Sequence, residues 1–335
     1  MKLAWGGAPD VEKLSRRGDT EGLVRALGYE DSMTDRDGRV VDLGAAVRAA
    51  AAEALARVED PSVVGLLMRA ADDPEETVRV AAIRGLRERR DVSAVEGLVH
   101  VAANWSGPVR RASREEAVDA LASVRDPDVP RRTAAKLMTR VTDLDEDDEA
   151  VLRRLAYAGG DDALRTTIDD LLEYLRGSPE APRAGRLLVA LSPGSVGPLI
   201  EALRDRRAAQ NAAVALGLTH DARAVEPLCS LVLDAEDALA RRAAAWALGE
   251  IRDPAGIQAL LMATRDRDYG VRTEAIASFD HLGNAAIAIA VAAVAGLAGE
   301  NGAAKAAQLP PAAPQEPSPG PASPAGPLLR RLLGR

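Results

Sequence analysis

Apolar residues between Leu239 and Arg272 recur every third and fourth position, a helical period, and nowhere alternate with polar residues as a half-buried strand requires. An Ala/Leu-rich helix is predicted over 241–250. It is expected to break at Gly249 and again at Asp253-Pro254, which pairs a capping acid with a proline at the first helical position, where the missing N–H costs nothing. A second helix follows and is expected to end near Asp266, Asp268 supplies the next cap, and Val271-Arg272 restarts the pattern 31 residues after Arg241. The unit is therefore a repeat of helix, turn and helix.

Aligned on the residue that starts the first helix of each pair, positions 19, 60, 91, 126, 161, 192, 221, 253 and 284 fall into register, at spacings of 29 to 41 residues. Seven residues after most of them stands an apolar anchor: Leu67, Leu98, Ile168, Leu199, Leu228, Leu260 and Val291, with Thr133 as the exception. Five residues before them come Leu55, Leu86, Leu121, Leu187, Leu216, Leu248 and Phe279, with Ala156 in the weak copy. Twelve before them, Arg48, Arg79, Arg114, Arg241 and Arg272 open the second helix, while Glu149, Glu180 and Ala209 replace arginine in the middle copies. Three columns in one register predict an all-α chain: a right-handed α-solenoid of eight or nine helical pairs over residues 1–302.

The stretch Val47-Arg48-Ala-Ala-Ala-Ala-Glu-Ala-Leu55, followed by Asp60-Pro61, resembles a HEAT-like repeat of the short kind found in phycobilisome lyases. The resemblance covers about residues 11–298. Copies at 48–72, 79–103 and 241–284 match well, whereas those from 126 to 200 are degenerate. It implies an α-solenoid and no single activity, because such repeats serve adaptors, lyase subunits, hydroxylases and DNA-repair proteins alike.

Composition agrees with close helix packing: eight aromatic residues in 335 leave alanine and leucine to fill the core. A net charge of −8 disfavours nonspecific nucleic-acid binding, although arginine outnumbers lysine 39 to 4. Cys229 is the only cysteine, so there is no internal disulfide, as suits a reducing compartment, and the expected location is the cytoplasm. Two insertions depart from the period. The first, Tyr29 to Gly44, carries the turn signal Asp35-Arg36-Asp37-Gly38. The second, Thr142 to Glu149, holds six carboxylates in seven positions; Asp143, Asp145 and Asp147 have calcium-loop spacing, but Asp148 and Arg154 stand where such a loop needs glycine and glutamate, so a solvated acidic helix start is expected.

His100, His220 and His281 occupy unrelated positions and no His-Glu dipeptide occurs, which argues against a di-iron site. Cys229 lies beside Leu228 and is expected to be a buried, inert thiol. No catalytic, cofactor-binding or metal-binding residue is assigned. Residues 284–298 are too short and alanine-rich to span a membrane and read as a last packed helix. From Ala303 to Pro327 a Pro/Ala/Gly-rich stretch reads as a disordered tether. It leads to a basic amphipathic motif over 328–335, in which Leu328, Leu329, Leu332 and Leu333 flank Arg330 and Arg331. That motif has at most weak contact with a membrane.

Binding is the better-supported function. Five residues after each opening position, a column about opposite the core reads Glu53, Arg84, Asp119, Arg154, Gly185, Val214, Trp246 and Ala277: charged in the first half, neutral with one tryptophan in the second. The reading is a non-catalytic, monomeric protein–protein interaction scaffold that binds another protein on its concave face through Glu53, Arg84, Asp119, Arg154 and an exposed Trp246. The competing place for that ring is against an adjacent repeat. The alternative function is an enzyme or enzyme subunit, such as a bilin lyase-like partner, a deoxyhypusine hydroxylase-like oxidoreductase or a damaged-DNA binder, disfavoured by the missing His-Glu pairs and the negative charge.

Overall fold

The computed structural model describes residues 7–89, 92–104, 111–124, 126–140, 143–279 and 282. Val291, His281, the 284–298 segment, the tether and the C-terminal motif lie outside the described residues. The chain divides into two compact units, Met1–Ala163 and Leu164 onward.

In the first unit a short helix α1 (Val11–Arg16) precedes α2 (Thr20–Leu27), a β-hairpin of β1 (Ser32–Thr34) and β2 (Val40–Asp42), and then α3 (Ala45–Ala56), α4 (Ser62–Ala70), α5 (Glu76–Arg89), α6 (Val92–Asn104), α7 (Arg111–Val124), α8 (Asp128–Thr139) and α9 (Glu146–Ala158). The division falls within α10 (Asp161–Tyr174). The second unit continues with α11 (Ala181–Ala190), α12 (Val196–Ala202), α13 (Ala209–Thr219), α14 (Val225–Asp234), α15 (Ala238–Ile251), α16 (Ile257–Ala263) and α17, over 269–279. From α2 onward these are eight pairs among the described residues, each with a first and a second helix. Within each unit second helices stack on second helices, as α3 on α5 and α13 on α15, and first helices on first, as α6 on α8 and α14 on α16.

The register acids do what the sequence asks of them. Asp60, Asp126, Asp221 and Asp253 each accept the backbone N–H two residues on, at 2.8–2.9 Å, and Asp19 accepts that of Gly22 at 2.8 Å. The leucine columns form the core: Leu55, Leu86, Leu121, Leu187, Leu216 and Leu248 are 0–1% exposed, and Leu67, Leu98, Leu199, Leu228 and Leu260 likewise. Thr133 takes its place in that column by donating its hydroxyl to the carbonyl of Val129 at 2.9 Å.

Three expectations need correction. The insertion at 29–44 turns at Asp35–Gly38 as expected, but it also holds strands that the pattern did not signal: β1 and β2 pair antiparallel, Met33 opposite Val41, closed by Asp35 accepting from the N–H groups of Asp37 and Arg39, with Gly38 at φ +78°. Gly249 does not break its helix. α15 runs to Ile251, and Gly249 is a packing residue, because a Cβ there would stand 2.7 Å from that of Ser278. The chain instead turns at Arg252, in the left-handed conformation at φ +59°, as α13 turns at His220. The acidic stretch 143–149 starts a helix as expected, with Asp143 and Glu146 exposed, but Asp148 is not solvated. Asp145 and Asp148 cap α9 reciprocally, and Asp148, fully buried, accepts from Arg114 at 2.5 Å and Arg140 at 2.6 Å.

The opening arginines tie successive pairs together. Arg241 is 3% exposed; its Nη1 donates to the carbonyls of Ala235 and Glu236, and its Nε and Nη2 fork onto both oxygens of Asp266 in the next pair, at 2.7 and 2.9 Å. Arg48 grips Asp73, also 25 residues on, in the same way, and binds Asp42 at the hairpin's base. Arg79 reaches the carbonyls of Asp73 and Pro74 and, 34 residues on, Ser113; Arg114 reaches Asp148 at the same interval. A planar fork meets a carboxylate with two parallel bonds, which a lysine in the same column could not do.

Hydrogen bonding from Arg241 holds the Asp266 carboxyl below the ordinary carboxylate range. A depressed folded-state value stabilises the protein above the unfolded value near pH 4 and is lost as pH falls through the folded one. Asp266→Asn is therefore expected to lower unfolding stability by about 3 kcal/mol at pH 7, because it strands a buried guanidinium, and to flatten the loss of stability below about pH 4. Asp234→Asn, on the exposed end of α14, serves as the control in urea titrations.

Candidate functional site

The second helices of the first unit carry a row of charge. Their core-facing columns are apolar, so at 100° per residue the fifth position after the opening one projects away from the core, and Glu53, Arg84, Asp119 and Arg154 are all exposed there. Neighbouring helices are close enough for these residues to pair across the stack. Arg84 on α5 donates through Nε to Glu116 on α7 at 3.2 Å, and Arg154 on α9 is bonded to Asp119 on α7. Glu116 was not singled out in the sequence. It lies three residues before Asp119, on the same helical face, and that spacing is the signal that marks it. Arg84, Arg87, Glu88 and Glu116 line an open depression of about 460 Å³.

The pairs are partly open to water: Arg154 and Asp119 keep 53% and 49% of their side-chain surface, and Arg84 keeps 60% against 22% for its partner Glu116. Exposed ion pairs of this kind are worth about 0–1 kcal/mol each. They hold the side chains in an alternating order at little cost to exchange for a partner's charges.

In the second unit the same column turns inward. Gly185 and Val214 are buried, Ala277 is half-buried, and Trp246 is 8% exposed. The exposure expected of Trp246 is thus corrected. α13 and α15 are so rich in alanine and glycine that they approach closely, and the indole lies on Gly217, where an added Cβ would stand 2.8 Å from Cζ3 and 2.9 Å from the Cα of Ala247. Of the five expected binding residues the structure leaves four exposed, all in the first unit, and places the fifth in a helix interface.

The other candidates are accounted for by packing. Burial first, then the negative charges of Asp253 and Glu226, push the half-buried Cys229 thiol up, so it stays protonated at neutral pH. His220 turns the chain at the end of α13, with Nδ1 3.0 Å from the carbonyl of Glu250. His100 is half-buried on α6. Among the described residues no three His, Cys, Asp or Glu side chains gather as a metal site, and no helix is long and apolar enough to cross a membrane.

The family model described as HEAT repeats matches residues 42–117 and 196–280, spanning the buried arginines Arg48, Arg79 and Arg114 in one segment and Arg241 and Arg272 in the other. Those two segments are HEAT repeats. The HEAT segments flank the stretch in which Glu149 and Glu180 stand in place of the opening arginine. Among solved structures, human deoxyhypusine hydroxylase in complex with glycerol is 20% identical over 81% of this chain and 98% of its own, with a TM-score of 0.31. A variant of Kap121p is 15% identical over 88% of this chain and 38% of its own, at 0.42. The CpcE and CpcF complex of phycocyanin lyase from Nostoc is 18% identical over 78% and 93%, at 0.29. At those identities and scores nothing of their activities is carried over. No curated protein matches the chain.

The position of Trp246 sets a test. Trp246→Ala is expected to lower unfolding stability by about 3 kcal/mol or more, as large-to-small changes at buried aromatic sites do, measured by chemical denaturation. A stability within about 0.5 kcal/mol of wild type would be a surface residue's behaviour and would contradict the packed position.

Proposed function

We propose that this protein is a non-catalytic scaffold of the cytoplasm that binds another protein along the charged row of its first unit: Glu53, Arg84, Asp119 and Arg154, with Glu116 added. The observation that carries the reading is the alternation of sign along successive second helices, with exposed cross-helix pairs from Arg84 to Glu116 and from Asp119 to Arg154. A mixed row of this kind suits a partner surface with the opposite alternation, which gains specificity by charge matching and pays for mismatches with unpaired charge. It does not suit a phosphate backbone, which calls for a run of one sign. Trp246, now a packing residue, has no part in this interface.

Exposed ion pairs contribute little to folding, so the row can be tested without unfolding the chain. Arg84→Ala, Asp119→Ala and Arg154→Ala combined are expected to leave the melting temperature within a few degrees of wild type. The same variant should lose at least about tenfold in affinity, about 1.4 kcal/mol, for whichever protein the wild type captures from its native host. Salt is expected to weaken capture by the wild type more than capture by the variant. Equal capture by both proteins would remove the row as the binding surface.

A further inference from the structure

The hairpin of the first unit sets an apolar surface in water. Its register pairs Met33 with Val41, so the two side chains share a face, and Leu43, two residues beyond Val41, lies on that face as well. They are 50%, 40% and 46% exposed, and Val40, on the opposite face, is 74% exposed. Neither strand packs extensively against a helix. A two-stranded hairpin on its own is marginal in water, but this one is fixed at its base, where the buried Arg48 donates to the carbonyl of Tyr29 at 3.1 Å and to Asp42 at 2.6 Å. The hairpin is held in place while its apolar face stays open, and a binding element ordered in advance loses less on association.

The outer edge of β1 has the backbone groups to take one more strand. The Asp35 N–H donates to the carbonyl of Arg39 at 2.8 Å, and the Leu43 N–H to that of Asp31 at 2.7 Å. Antiparallel pairs alternate between bonded and unbonded, so Met33 and Val41 are the bonded pair between these two, and the N–H and C=O groups of Ser32 and Thr34 point away from β2. All three residues of β1 are exposed, and none is a proline or lysine that would blunt the edge. Asp31 and Asp35 bracket it on the face of Met33. If β1 paired antiparallel with the β1 of a second copy, the register centred on Met33 would set Asp31 opposite Asp35, and the two neighbouring registers would set Met33 opposite one of these acids. A strand with a basic residue opposite each acid and an apolar residue opposite Met33 meets neither conflict. We propose that β1 takes up, by antiparallel strand addition, an extended segment of another protein in which basic residues flank an apolar one at alternate positions. This contact is separate from the charged row and does not rest on it.

The test titrates the full-length chain with the peptide acetyl-Lys-Thr-Val-Thr-Lys-amide and follows the backbone amide resonances of Ser32 and Thr34, which are expected to shift. A peptide N-methylated at both threonines keeps every side chain but loses the two N–H groups that would face β1, and it is expected to bind at least about tenfold more weakly. A peptide with Glu in place of each Lys should lose as much. Thr34→Pro is expected to cost the parent peptide the same factor while leaving helical content and melting temperature as in wild type, because the N–H it removes points away from β2. The proposal is overturned if neither resonance moves at millimolar peptide, or if the N-methylated peptide binds as well as the parent. It is equally overturned if the shifts fall on the charged row instead, which would make the peptide a general ligand of acids, or if Ser32 and Thr34 shift with protein concentration alone, which would assign the edge to a second copy.

Discussion

The fold depends on a buried guanidinium at the head of the second helix. A helical pair of about 31 residues cannot hide its own apolar faces, so it is stable only when stacked, and stacking needs a register. Leucine and alanine supply the burial but little direction, since hydrophobic contact is non-directional. Direction comes from Arg48, Arg79, Arg114 and Arg241, each of which bonds to the next pair or to a loop carbonyl while almost wholly removed from water. A buried charge of this kind is tolerable only with its partners in place, which makes a slipped stack costly in a way that apolar packing alone would not.

The middle copies show what happens when the device changes. Where Glu149 and Glu180 replace the arginine, other arginines carry the cross-pair bonds: Arg140 donates to the carbonyl of Ala103 on α6 at 3.1 Å, and Arg176 donates to Asp205 at 2.7 Å. The division into two units falls in this stretch. Each unit keeps the same helix order but spends its second-helix surface differently. In the first unit, long charged side chains stand off from the stack and pair loosely across it. In the second, alanine and glycine draw α13 and α15 together until the corresponding column, Trp246 included, is interior.

The repeat, its cap residues and its core were legible in the sequence because each is a local matter. An Asp two residues before the N–H it accepts, or a leucine at a fixed offset, needs only the chain's own periodicity, and the columns of Leu67, Leu86 and Arg241 follow from that alone. The exposed row at Glu53, Arg84, Asp119 and Arg154 was legible for the same reason, since a face opposite an apolar stripe is fixed by 100° per residue.

Tertiary structure decided what depends on the distance between helices. Whether Trp246 faces solvent is set not by its own helix but by Gly217 one pair away, which lets α13 come close enough to cover the ring. The acids at 143–149 carry the same charge in sequence whether solvated or buried, and only the approach of Arg114 and Arg140 from other helices makes Asp148 an interior residue. The hairpin at 32–42 depends on Arg48 reaching Asp42 and Tyr29 as well as Asp73. Periodicity along one chain specifies which way a side chain points; how near the next helix lies, and therefore what that side chain meets, is fixed only when the pairs are stacked.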